Sequence, residues 1–212
     1  LEFEDWTPPA VAADVVVLGG DIHVSTEGLD WARRHFPSAE LIYVPGNHEF
    51  YGHDLSETLT ALRAGAQRHG IHLLDGDEVI IGGVRFLGAT LWTDFELYGS
   101  EPQQVAKAMN TAQRGMLDYL VIRRRGSGLL RPEDTRDIHR AQVKWLEGRL
   151  AESFAGTTVV VTHTLPHRQS VHPKYTGDEF NPCFASNLGH LLHAPVALWI
   201  HGHTHESMDY VI

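Results

Sequence analysis

Cysteine is nearly absent. The single thiol of Cys183 has no partner for an internal disulfide and fits a reducing, cytoplasmic location. No apolar run approaches the roughly 20 residues that a membrane-spanning helix needs, so no membrane partner is expected. No signal peptide opens the chain, although it starts at Leu1 and not at Met, which leaves room for a removed leader. Positive charge is scarce as well. Seventeen Lys and Arg face 27 Asp and Glu, a formal net charge of −10, which argues against broad attraction to nucleic acid or to an anionic surface. That balance still admits a phosphate-bearing ligand, because bound divalent cations invert the local field. Repeats, low-complexity tracts and linkers are missing too. At 212 residues the simplest account is one domain spanning 1–212.

What is present is histidine, fifteen in all, and a set of short apolar runs that end in polar residues. Leu41-Ile-Tyr-Val44 is a buried-strand pattern, and Gly46-Asn47-His48-Glu49 follows at its carboxyl end. Val11–Gly20 reads as another strand, covered on both faces and running into Asp21-Ile22-His23. Thr157–Thr162 is the strongest strand signal and stops at His163, while Val196–Ile200 leads into His201-Gly-His203-Thr-His205. Helical periodicity marks Gly28–Phe36, Asp54–His69 with Asp54 or Ser56 as cap, Gln103–Arg125, a helix after Arg131-Pro132, and a short one over Ser186–His193. Ile71–Leu74, Glu78–Ile81 and Val84–Leu87 are short strands joined through Asp75-Gly-Asp77 and Gly82-Gly83, so part of the sheet is expected to be antiparallel. Strands and helices therefore alternate, an α/β pattern interrupted by a helical insertion from 93 to 150.

In an open α/β sheet, ligands bind beyond the carboxyl ends of the strands. Four such ends carry Asp21, Asn47 with His48, His163, and His203 with His205, so these residues are expected to converge on one edge. One carboxylate, one amide and several imidazoles suit Mn²⁺, Fe²⁺ or Zn²⁺ better than Ca²⁺, and the set lacks the thiolates of a structural zinc site.

The ordered blocks Gly20-Asp21, Gly46-Asn47-His48-Glu49, Thr162-His163 and Gly202-His203-Thr204-His205 resemble the calcineurin-like metallophosphoesterase superfamily, four of whose five blocks are here in order. The resemblance implies a four-layer β-sandwich flanked by helices, with two divalent ions at the sheet edge. It makes Asp21 the bridging carboxylate, gives Asn47, His163 and His203 to one ion, and gives His205 to the other. His48 would bind no metal and would stand over the substrate phosphate as acid or electrostatic stabiliser. The implied activity is hydrolysis of a phosphomonoester or phosphodiester of a small molecule by a metal-bound hydroxide, consistent with what a two-metal site does. Two departures accompany it. The first block, an Asp-x-His, is missing, and Leu1-Glu2-Phe3 reads as what would follow it. The chain is thus expected to be truncated at both ends and to hold one ion by itself, with His23 the candidate to replace the lost block. Val24 stands where phosphoprotein phosphatases of the superfamily carry a second Asp, which argues against a protein substrate.

Two other readings compete. A catalytically inactive scaffold on the same fold would bind protein partners, but it would have no reason to keep His48. A metallo-β-lactamase relative would carry its His-x-His block early, not at 203–205. Arg123, Arg124, Arg125 and Arg131 could contact phosphate, although solvated helix-end charges are the simpler account.

Overall fold

The computed structural model describes residues 7–9, 12–124, 126 and 128–212. The calls on Leu1–Phe3, Val11 and Arg125 lie outside these residues.

Alternation of side chains along the strands decides the layering. The first sheet is parallel in the order β1 (Val15–Leu18), β2 (Glu40–Tyr43), β3 (Ile71–Leu73). Leu41 and Tyr43 of β2 point into a core shared with helices α1 (Glu27–His35) and α2 (Leu55–His69). Ile42 and Val44 point the other way, into a core closed by Phe86, Val159 and Val161 of a second sheet. That sheet is mixed, in the order β4 (Asp77–Ile81), β5 (Val84–Ala89), β8 (Thr157–Thr162), β9 (Val196–Ile200). Its outer residues Leu87 and Val160 meet Leu146 of helix α5 (Pro132–Ala151). Helix, sheet, sheet, helix are the four layers of a calcineurin-like sandwich.

Between β5 and β8 lie α3 (Pro102–Gly115), α4 (Asp118–Val121), a two-stranded ribbon of β6 (Arg123–Arg124) and β7 (Gly128–Leu129), and α5. Val105, Ala108, Ala112 and Tyr119 join the core under the first sheet, whereas α5 supplies the outer layer of the second.

Local chemistry explains the boundaries. Asp54 caps α2 by accepting from the Ser56 and Glu57 amides at 3.0 and 3.1 Å, and Gly70 ends it in the left-handed region at φ 61°. Caps of this kind contribute about 1 kcal/mol. Gly82 and Gly83, both at positive φ, close the antiparallel β4–β5 hairpin. The strand after Asp75-Gly76 pairs in the other sheet, so β3 and β4 are not neighbours. Among the described residues no helix is long and apolar enough to cross a membrane.

Three expectations need correction. The helix expected over Gln103–Arg125 ends at Gly115: Met116 is extended, and the Phe180 ring sits against the Gly115 Cα. Glycine's poor helix propensity and this contact stop the helix there, and Arg123 and Arg124 lie in the ribbon, not at a helix end. Ser186–His193 forms only a single 3-10 turn at Gly189–Leu191, because the Ser186 and Leu188 amides are taken by the carbonyls of Leu165 and Pro166. The first strand is confined to Val15–Leu18.

Candidate active site

The four predicted strand ends do meet, but across two sheets. Asp21 and Asn47 follow β1 and β2, while His163 and His203 follow β8 and β9, so the site straddles the edge of the sandwich. Ligand atoms of Asp21, His163 and His203 lie within 4.8 Å of one another. His163 Nε2 stands 3.2 Å from Asp21 Oδ2, 3.0 Å from Asn47 Oδ1 and 3.0 Å from His203 Nδ1.

The approach of the two sheets depends on glycine. Gly20 has φ +92°, and a Cβ there would strike His163 Nδ1 and lie 2.7 Å from the Gly46 amide. A Cβ on Gly46 would strike Asp21 Oδ1. Asp21, His203 and His205 themselves hold positive φ (57°, 77° and 54°), strain of the kind that concentrates at functional sites.

Electrostatics sort the group into an anionic Asp21, a neutral His203 and a His163 whose charged form Asp21 favours. Burial would raise the Asp21 carboxyl, but the adjacent His163, His203 and His48 outweigh it and hold it well below the usual range. Burial and the neighbouring His163 push His203 down to about 3, so its ring is neutral. Burial opposes the charged form of His163 as well, yet the Asp21 carboxylate raises it. His163 Nδ1 lies 2.8 Å from the Gly19 carbonyl, which can only accept, so Nδ1 carries a proton and Nε2 is turned to the cluster. His203 Nε2 is buried with no hydrogen-bond partner among the described residues. A carboxylate, an amide oxygen and imidazole nitrogens crowded at about 3 Å fit a divalent cation.

The other candidates are placed as follows. His48 begins a 3-10 turn with its amide bonded to Asp21 Oδ1 at 3.0 Å. Its Nε2 is 3.9 Å from Asp21 Oδ2, and its ring stacks on Tyr51 at 4.4 Å between centroids. His205 lines the same pocket of about 450 Å³ but stands outside the three-residue cluster. His23 faces Glu27 at 3.1 Å and is likewise outside it. Arg123 donates to the Gly52 carbonyl and Arg124 pairs with Asp134, while Arg131 stands at the N-cap of α5, where its backbone amide donates to Asp134 Oδ2 at 3.0 Å. None of the three lines the pocket.

Sequence reasoning missed two acids. Glu49, fully buried, accepts from the amides of Asp21, Ile22 and Gly46 at 3.0, 2.8 and 2.7 Å and from the Tyr43 hydroxyl at 2.7 Å, tying the first two loops together. Glu49→Ala is expected to cost at least about 3 kcal/mol, since four donors lose their acceptor and each unmet buried donor costs about 1–3 kcal/mol. A urea midpoint unchanged from wild type would refute that role. The signal lies in the Gly-Asn-His-Glu block itself, whose fourth residue is its carboxylate.

Asp118 had no sequence signal at all. It is buried on α4 and accepts from Asn47 Nδ2 and the Tyr51 hydroxyl, both at 2.7 Å. Burial raises its carboxyl although those two hydrogen bonds pull the other way. Because Asp118 can take only the NH₂ side of Asn47, the amide oxygen is turned to the cluster. Asp118→Leu is expected to weaken Mn²⁺ binding by about 10–100-fold, the usual effect of losing a partner behind a ligand. Calorimetric titration with Mn²⁺ measures it, and wild-type affinity in a folded variant would refute it.

Comparison with known proteins gives three findings. The family model described as calcineurin-like phosphoesterase matches residues 2–207. An uncharacterized protein, L509 of Acanthamoeba polyphaga mimivirus, is 22% identical over 187 residues, 81% of this chain. The chain spans only 64% of that relative's length. The crystal structure of phosphopantetheinyl hydrolase from Mycobacterium tuberculosis superposes with a TM-score of 0.68 at 16% identity, covering 92% of this chain and 75% of the other, a likeness of fold.

Proposed function

The chain belongs to the calcineurin-like phosphoesterase family, and from that premise we propose that it is a binuclear metal-dependent phosphoesterase acting on a small-molecule phosphomonoester or phosphodiester. The family implies divalent metal ions, and the donor set here suits Mn²⁺, Fe²⁺ or Zn²⁺. Asp21, Asn47, His163 and His203 would hold one ion, and His205 with a share of Asp21 would serve the other. When bound, such ions neutralise phosphoryl oxygens and make water a better nucleophile.

The chain's own residues do the rest. Glu49 fixes the loops that carry Asp21 and Asn47. Asp118 sets the Asn47 amide, and the Gly19 carbonyl sets the His163 ring. Hydrolysis places water's oxygen on phosphorus and breaks the bond from phosphorus to the leaving oxygen. His48, stacked on Tyr51 at the pocket wall, gives the departing oxygen its proton from Nε2.

The observation that carries this reading is the convergence of Asp21, Asn47, His163 and His203 at about 3 Å from four separate loops, with His48 beside them. Hydrolysis of bis(4-nitrophenyl) phosphate and of 4-nitrophenyl phosphate with Mn²⁺ by the full-length protein, any segment before Leu1 included, tests it. Turnover of either substrate that disappears with chelator and returns with metal is expected. Metal binding with no hydrolysis of any phosphoester would overturn it in favour of a non-catalytic scaffold.

A further inference from the structure

Beyond the ligand cluster, the pocket has an apolar wall. It begins at Phe184, whose ring lies 4.9 Å from that of His203, and continues through Phe180, Met116 and Tyr175. Phe180 is seated on the bare Cα of Gly115 at the end of α3, where a Cβ would come within 2.5 Å of the ring. Tyr175 is 41% exposed, so the wall reaches solvent and can be entered. The loop that carries these rings is tied down: Asn181 donates from Nδ2 to the Tyr175 carbonyl at 2.6 Å and to the Tyr98 hydroxyl at 2.7 Å.

Charge along the wall points the same way. Among the described residues no Lys or Arg lines the pocket, and the acid outside the ligand cluster that does is Asp178. The ammonium of Lys174 lies 4.8 Å over the Tyr175 ring, but it is paired with Glu206. A second phosphate on a substrate would therefore meet the Asp178 carboxylate, with the His172 imidazole beside it and the Lys174 charge already paired, whereas an aromatic or alkyl group would displace water from ring faces.

Resting on the phosphoesterase reading, we infer that this site selects phosphoesters whose leaving group is apolar and carries no second phosphate, with Phe180 as the principal specificity residue. The phosphoryl group would rest against the metal site that Asp21 and His203 help to form, and the body of the leaving group lies along Phe184, Phe180 and Tyr175. Polyphosphates and multiply phosphorylated sugars are disfavoured by Asp178.

Non-hydrolysable phosphonates test the inference without the confounding effect of leaving-group reactivity. Binding to the Mn²⁺-loaded protein is measured by calorimetry for methylphosphonate, phenylphosphonate and 1,4-phenylenediphosphonate. Phenylphosphonate is expected to bind at least about tenfold tighter than methylphosphonate, the low end of what burying a ring provides. The diphosphonate should lose most of that gain. Phe180→Ala should reduce the phenyl-to-methyl ratio below about threefold. Asp178→Asn keeps the side-chain oxygen that accepts from the Phe180 amide at 2.8 Å but drops the charge, and should improve the diphosphonate relative to phenylphosphonate by about fivefold. Equal binding of phenyl- and methylphosphonate, or ratios unmoved by both variants, would overturn the inference while leaving the phosphoesterase reading intact. Failure of the folded, metal-loaded protein to bind any phosphonate would overturn the phosphoesterase reading itself.

Discussion

Replacing His48 with alanine is expected to lower turnover of bis(4-nitrophenyl) phosphate about 10²–10⁴-fold, the range for loss of a general acid, with metal content unchanged. The position of the ring suits that task. It lies outside the cluster of ligand atoms, lines the pocket, and stacks at 29° on Tyr51, whose hydroxyl is anchored on Asp118. Its backbone amide, not its ring, makes the 3.0 Å bond to Asp21, so alanine keeps the contact that organises the loop. Elemental analysis beside steady-state kinetics separates the possibilities. If His48→Ala keeps near-wild-type turnover, or sheds metal, the proton-donating role is wrong.

The second large effect is expected at His203 and His163. Alanine at either position should weaken Mn²⁺ binding by more than the roughly 10–100-fold seen when an outer partner is lost, because a ligand itself goes. Activity should fall in parallel. His203 is the sharper case. Its half-buried ring is neutral, and its Nε2, the nitrogen that does not meet His163, is buried with no hydrogen-bond partner among the described residues, which is costly. Removing the ring from the metal-free protein should therefore cost little of the stability that burial of so large a side chain normally brings, whereas the stabilisation gained on adding Mn²⁺ should shrink. Thermal unfolding with and without Mn²⁺, read beside calorimetry, checks both statements. Wild-type metal affinity in both variants would remove these histidines from the centre.

The sequence alone determined the α/β class, the strands that end in Asp21, Asn47, His163 and His203, and the identity of the family. Each of these rests on local rules. Apolar runs bounded by glycine mark strands, and short blocks with fixed internal spacing survive without knowledge of what they touch. The same local rules failed at Gln103–Arg125 and at Ser186–His193. There the Phe180 contact with Gly115 and the capture of the Ser186 amide by Leu165 overrode helical periodicity. Only the tertiary structure decided that the four blocks meet across two sheets and not along the edge of one. It alone revealed Asp118, which reaches Asn47 over 71 residues of separation. A strand's period says which face is buried but not against which partner. A carboxylate on a helix looks like any solvated charge until packing turns it inward. Hydrogen bonds between loops distant in sequence leave no periodic trace, so the residues that gather at the candidate centre were legible in the chain and the groups that aim them were not.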